Sequence, residues 1–224
     1  MKKNTVLVIA SHPDDEVLGV GGTILNYSSR GHSVDVLFLS SGVGSRDNER
    51  EDRLSRISSA QAALKLLGCR ETIHGDFPDN AFDSVGILKV AKFIETQIER
   101  LRPTIIFTNF HGDLNVDHRI TAEATLIASR PKPNSCVNEL YFYEVLSSTG
   151  WKFGSELFRP NYFSDISSTI DKKLLALDAY GVEIDVPPNA RSLESARALA
   201  QTRGNFIGVN FAEAFEVGFI RVKE

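Results

Sequence analysis

Two cysteines, Cys69 and Cys136, one tryptophan and one methionine are all that the 224 residues hold of those types. With no CxxC spacing, a disulfide framework and a cysteine-rich zinc site are both excluded, and a reducing compartment fits. Positive charge is not in surplus either: 25 Lys and Arg stand against 29 Asp and Glu, a net charge of −4. Such a chain has no basic stripe with which to neutralise phosphates, which argues against nucleic acid as a partner. No apolar run approaches the ~20 residues needed to cross a bilayer, so no integral membrane segment is expected. Met1 to Thr5 followed by Val6 to Ala10 resembles a signal peptide only superficially, because the apolar run is short and stops at Asp14-Asp15-Glu16. It reads as a buried strand, and the chain as cytoplasmic. Repeats, low-complexity tracts and linkers are also missing, so residues 1–224 are expected to form a single domain, a length that supports one sizeable core.

What is present is alternation of strand and helix signals. Val6–Ala10 is a continuous apolar run of the kind found in strands covered on both faces. Val17–Arg30 reads as a helix ending at Gly31, and Val34–Leu39 as a second strand followed by a Gly/Ser-rich loop. Glu49–Leu67 is an amphipathic helix closed by Gly68. A short strand over 71–73, a helix over Val85–Leu101, a strand over Thr104–Thr108 and a helix over Asp117–Ser129 follow. Glu139–Val145 reads as a strand, Thr169–Tyr180 and Ser192–Arg203 as helices, and Phe215–Val222 as a final edge strand. Such units imply right-handed crossovers, hence an α/β fold built on a mostly parallel sheet.

Two segments concentrate groups able to do chemistry. Ser11-His12-Pro13-Asp14-Asp15-Glu16 follows the first strand, where open α/β sheets collect their ligands. Helix capping alone accounts for Pro13 and for one or two first-turn acids. It does not account for His12, nor for the density of acids beside it. The second segment runs from His111 to His118, again between a strand and a helix, and includes Asp113, Asn115 and Asp117. Three of the five histidines lie in these two loops, whereas His32 and His74 read as ordinary surface or turn residues. A histidine and an aspartate from the first loop with a histidine from the second would supply the three protein ligands of a hydrolytic zinc site and leave a position for water.

Ser11 to Glu16 resembles the [A/S]-H-P-D-D-E signature of the GlcNAc-phosphatidylinositol de-N-acetylase-like (PIG-L-type, LmbE-like) proteins, and Asp117-His118 resembles the end of their second motif, H-x-D-H. Arg56 through Leu67-Gly68 is similar to that family's arginine-bearing helix, and Asp79 to an aspartate after its next strand. The resemblance covers most of residues 4–130. It implies a Rossmann-like sheet with helices on both faces, zinc held by His12, Asp15 and His118, and Asp14 as general base. It also implies that Asp117 orients a catalytic histidine, and that Arg56 and Asp79 meet the substrate. The expected activity is zinc-dependent removal of an acetyl group from an N-acetylated amino sugar or its conjugate.

The chain departs from the pattern at one place, where Asn115 stands for the first histidine of H-x-D-H. An asparagine donates a hydrogen bond to an oxyanion but cannot transfer a proton. Asp14 then serves as both base and acid, the preferred reading, or His111 reaches in from upstream. Arg46, in the loop after the second strand, and Trp151, the lone tryptophan, are further candidates for the substrate side. A sugar nucleotide of surface-polysaccharide synthesis fits better than a lipid-linked substrate, since no anchoring helix or polybasic patch is present. Homo-oligomerisation is left open. Two other readings stand beside this one: an amidase for a non-sugar or thiol-conjugate amide, and a non-catalytic sugar- or nucleotide-binding module.

Overall fold

The computed structural model describes residues 3–41, 49–151 and 156–222, with residues 49–53 described as backbone only. Arg46 therefore lies outside the described residues. Seven strands form one sheet in the order β3-β2-β1-β4-β5-β7-β6. β1 (Thr5–Ala10), β2 (Ser33–Phe38), β3 (Glu71–His74), β4 (Ile105–Asn109) and β5 (Glu139–Tyr143) are mutually parallel. β7 (Ala212–Ile220) runs antiparallel to β5, and β6 (Tyr162–Asp165) antiparallel to β7.

Alternation along the strands sorts side chains onto two cores. Val6, Val8 and Ala10 of β1 face the same cluster as Val34, Val36 and Phe38 of β2. That side is covered by α1 (Asp15–Ser29), α2 (Glu49–Leu67), α5 (Ile170–Asp178) and α6 (Leu193–Ile207). Leu7 and Ile9 face the other way, with Leu37 and Ile106, onto α3 (Ile87–Leu101) and α4 (Val116–Ser129). Each of these strand residues is 0–1% exposed, so both faces of the central strands are dry. That is why they read as unbroken apolar runs in the sequence.

The last third differs from the expectation in three ways. β7 is not an edge strand, because β6 pairs with it and takes the edge. β6 is four residues long, too short to carry a period. And α6 does not end before Gly204: it continues to Ile207, with Gly208 at φ 76° closing it. Gly204 is instead a packing glycine, where a Cβ would lie 2.6 Å from the Val209 carbonyl oxygen.

The topology fixes where a site forms. Chain order reverses between β1, whose neighbour on one side is β2, and β4 on its other side. Ligand crevices of open α/β sheets lie outside the carboxyl ends of strands at such a switch point. The segment after β1 and the segment after β4 both open onto it.

Candidate metal centre and active-site cleft

The turn after β1 is held from below. Asn109, the last residue of β4, accepts from the Ser11 amide (3.0 Å) and hydroxyl (3.2 Å), and Ser11 also meets Thr121 Oγ1 of α4 at 2.7 Å. The same Asn109 donates through Nδ2 to Asp15 Oδ2 (3.3 Å), tying the two loops together beneath the cleft. α1 starts at Asp15 with Asp14 as its N-cap, but Asp14 makes no side-chain cap bond and has φ 102°. Left-handed backbone costs a non-glycine residue of order 1–3 kcal/mol and gathers at functional sites. The helix-start explanation therefore covers the backbone position of Asp14 and leaves its side chain unaccounted for. Glu16 is structural: Oε1 accepts from Tyr180 Oη (2.5 Å) and Oε2 from the Asp14 amide (2.9 Å). Burial pushes its carboxyl up to about 8, against the opposing Tyr180 hydrogen bond.

His12 and His118 converge on Asp15. Asp15 Oδ2 lies 3.6 Å from His12 Nδ1 and 3.2 Å from His118 Nε2. The far nitrogen of each ring is held by another carboxylate: His12 Nε2 by Asp117 Oδ2 at 3.0 Å, and His118 Nδ1 by Asp113 Oδ1 at 3.3 Å. Those carboxylates are themselves fixed, Asp117 by the Phe82 amide (2.9 Å) and Asp113 by the Thr149 hydroxyl (2.5 Å). Metal-binding histidines are oriented in this way, one nitrogen toward the ion and the other toward a carboxylate. Asp79 also reaches His12 Nε2, at 3.2 Å. Gly75, just after β3, lets the chain pass close to β2's exit, since a Cβ there would lie 2.5 Å from the Leu39 carbonyl oxygen.

The electrostatics favour a cation. Burial would lower the pKa of His118, but the charges and hydrogen bonds of Asp15 and Asp113 outweigh it and hold the imidazole up at about 10. His12 is raised likewise, burial being opposed by Asp117 and Asp15. For Asp15, burial works upward and the charge of His118 works downward, and the latter wins, leaving it well below the usual carboxylate range. Two imidazoles and one carboxylate whose ligand atoms lie within 4.8 Å of one another form a donor set suited to zinc.

The cleft above encloses about 580 Å3, open solvent included, and is lined by His12, Asp14, Asp15 and His118 with Arg56, Asp79, Asn80, Asn115, Ser147, Ser148, Glu183 and Arg191. Neither carboxylate oxygen of Asp14 has a hydrogen-bond partner although both are buried. Instead Arg191 Nη2 contacts Asp14 Oδ2, and Arg56 Nη2 stands 3.6 Å from it. Arg56 also donates to the Pro13 carbonyl (3.1 Å) and pairs with Glu183 at 3.3 Å.

Asn115 occupies the cleft wall as the N-cap of α4, its side-chain oxygen accepting from the Asp117 amide at 2.8 Å. His111 is directed elsewhere: its side chain is 43% exposed, 3.6 Å from Glu216, and packs on Phe110 and Phe142. It is not among the residues lining the cleft. The expectation that His111 reaches in is therefore not met, because the ring is held on the β5–β7 side. Trp151, 59% exposed, is likewise absent from the lining. Asp113, named in the sequence only as part of its segment, and Asn109, Glu183 and Arg191, not singled out at all, belong to the site. The density of polar residues after β4 points to the first two, while Glu183 and Arg191 come from a distant segment with no motif.

The sequence profile of the GlcNAc-PI de-N-acetylase (PIG-L) family matches residues 7–129. The chain belongs to this LmbE-like family. Among its relatives, the diacetylchitobiose deacetylase of Thermococcus kodakarensis is 29% identical over 225 residues, covering 93% of this chain and 80% of that one. The uncharacterized deacetylase YaiS of Escherichia coli is 27% identical over 173 residues, 73% of this chain and 86% of the relative. Among solved structures, the conserved protein TT1542 of Thermus thermophilus superposes with a TM-score of 0.79 at 25% identity, covering 99% of this chain and 97% of that one. The two curated relatives are named as deacetylases, and TT1542 shares the fold.

Proposed function

We propose that this chain is a zinc-dependent hydrolase that removes the acetyl group from an N-acetylated amino sugar, with the metal held by His12, Asp15 and His118. The observation that carries the reading is the convergence of two carboxylate-backed imidazoles on Asp15, beside a buried Asp14 whose carboxylate faces the guanidinium groups of Arg191 and Arg56. Relatives named for diacetylchitobiose, N-acetylglucosaminyl malate and acetamido-glucosyl inositol support the substrate class. Zinc bound here supplies Lewis acidity, bringing a water toward ionisation near neutral pH and polarising the amide carbonyl.

The chain's own groups do the rest. Asp14, with its carboxylate aimed into the cleft, takes a proton from the attacking water and returns it to the departing amine. Asn115 cannot transfer a proton, and among the described residues no histidine besides His12 and His118 lines the cleft, so both proton transfers fall to Asp14. Asp117 and Asp113 hold the two imidazoles in orientation and tautomer. Arg56 and Asp79 form the wall against which sugar hydroxyls bind, and Trp151 has no part in this reading.

The test is acetate release from N-acetylglucosamine, diacetylchitobiose and N-acetylated sugar nucleotides, with zinc supplied and then chelated. About one zinc per chain and loss of activity on chelation are expected; full activity in metal-free protein sinks the proposal. Asp14→Asn should keep the metal and lose roughly 10²–10⁴-fold in kcat, the range of general acid–base contributions. Undiminished turnover in that variant would remove Asp14 as base.

A further inference from the structure

With His111 outside the cleft and Asn115 able to offer only a neutral amide donor, the reading above gives the charge that develops on the amide oxygen no cationic side chain beside the metal. Two cations line the cleft among the described residues besides the histidines, Arg56 and Arg191. Arg56 is committed to the Pro13 carbonyl and Glu183. Arg191 is not held in this way. Its Nη2 meets Asp14 Oδ2, and its buried Nε has no hydrogen-bond partner.

Its backbone, by contrast, is firmly placed. The Arg191 amide donates to Asn189 Oδ1 (2.8 Å), and its carbonyl accepts from the Asp185 amide (3.2 Å). Asn189 Nδ2 returns to Asp185 Oδ2 at 2.7 Å. The next residue, Ser192, caps α6 by accepting from the Ser195 amide at 3.1 Å. A self-bonded loop anchored on a helix start thus carries one long cationic side chain into the cleft and sets it on the proposed base.

We propose that Arg191 is a catalytic residue of this site, pairing with Asp14 in the resting enzyme and stabilising the oxyanion during turnover. The inference rests on the deacetylase reading. As water adds to the acetyl carbonyl, the C–O bond forms, the water proton passes to Asp14, and the carbonyl π electrons settle on the oxygen. Asp14 is then neutral, so its hold on the guanidinium weakens just as an anion appears beside it. When the C–N bond breaks, the oxygen lone pair re-forms the carbonyl, and Asp14 returns its proton to the nitrogen, giving the free amine and acetic acid, which loses its remaining proton to solvent as acetate. Arg191 then recovers the Asp14 carboxylate as partner. A guanidinium suits this exchange because it stays charged and offers several donors in a plane.

The test compares wild type, Arg191→Ala and Arg191→Lys, all zinc-loaded, by kinetics and by binding of a tetrahedral phosphonamidate analogue of N-acetylglucosamine. Loss of one oxyanion donor costs about 10²–10³-fold in kcat, so Arg191→Ala should fall by that factor with KM little changed. Its affinity for the analogue should fall with kcat while glucosamine binding is kept. Added guanidinium should restore part of the alanine variant's rate, and the lysine variant should retain part of it. Zinc content and thermal midpoint matching wild type would show that the loss is local. If Arg191 only neutralises Asp14, the alanine variant keeps its kcat and its analogue affinity and shifts only the acid limb of the pH profile. That result overturns the proposal and leaves the deacetylase reading intact. Wild type that releases no acetate from any N-acetylated amino sugar overturns both.

Discussion

At the scale of single residues, Asn115 shows how one position is put to a different use. Its side-chain oxygen accepts from the Asp117 amide, and its own amide donates to Asp113 Oδ1 at 2.8 Å. It thereby sits between the two aspartates that orient His118 and His12. Replacing an asparagine N-cap by alanine costs about 0.5–2 kcal/mol, and Asn115→Ala should lose that much in a denaturant titration. Because the cap positions Asp117, zinc affinity should fall as well, by the roughly 10–100-fold typical of lost partners behind a metal ligand. A variant with unaltered stability and metal affinity but no turnover would assign Asn115 to the chemistry instead. The ligand and base candidates were legible in the sequence because they lie in dense polar motifs in the segments that follow β1 and β4. Asp113 was legible only as one polar residue of the second segment, since the ring it holds is recognised through space. Arg191 and Glu183 gave no signal, as nothing local to them marks their approach to a turn after the first strand.

At the scale of elements, α1 must lie close to its neighbours to carry Asp14 and Asp15 into place. Gly19 allows contact with Tyr143, for a Cβ there would fall 2.3 Å from the ring. Along the same helix a buried ion pair inserts from two other elements. Lys173 Nζ of α5 donates to the Leu18 carbonyl at 2.8 Å, and Glu213 of β7 accepts from the amides of Gly22 (2.8 Å) and Thr23 (2.7 Å). The two side chains pair with each other at 2.7 Å, and both are buried. Removing one partner leaves a buried charge alone, which costs about 3–5 kcal/mol, whereas replacing both by apolar groups is often near neutral. Glu213→Leu alone should therefore destabilise by that amount, and adding Lys173→Met should recover much of it in a double-mutant cycle. Strictly additive losses would show that the pair is not coupled. The central strands announce themselves because both faces are buried. β6 and the true place of β7 do not, because pairing at that end of the sheet is decided between segments far apart in sequence, and four residues carry no period.

At the scale of the whole molecule, the proposed metal ties the end of β1 to the loop after β4, so its effect on stability should depend on pH in a defined direction. Without metal, His118 is held up at about 10 against a usual 6.5, so its contribution to stability is complete below ~6.5 and fades as pH rises toward ~10. Glu16, raised to about 8 from 4.5, acts in the same sense: its contribution is lost between ~4.5 and ~8. Metal-free protein should therefore lose stability as pH climbs through neutrality. Metal binding displaces protons from the imidazoles, so its affinity rises with pH over the same range. At a free zinc concentration of about 1,000 times Kd the ion adds roughly 4 kcal/mol, and that excess grows as Kd falls. The gap in Tm between zinc-loaded and chelated protein should thus widen steadily from about pH 6 to about pH 9, measured by thermal scans in matched buffers. Calorimetry of zinc binding in buffers of different ionisation enthalpy should report net proton release near neutral pH. A gap that stays constant or narrows, with no proton released, would mean that the ion binds away from His12 and His118.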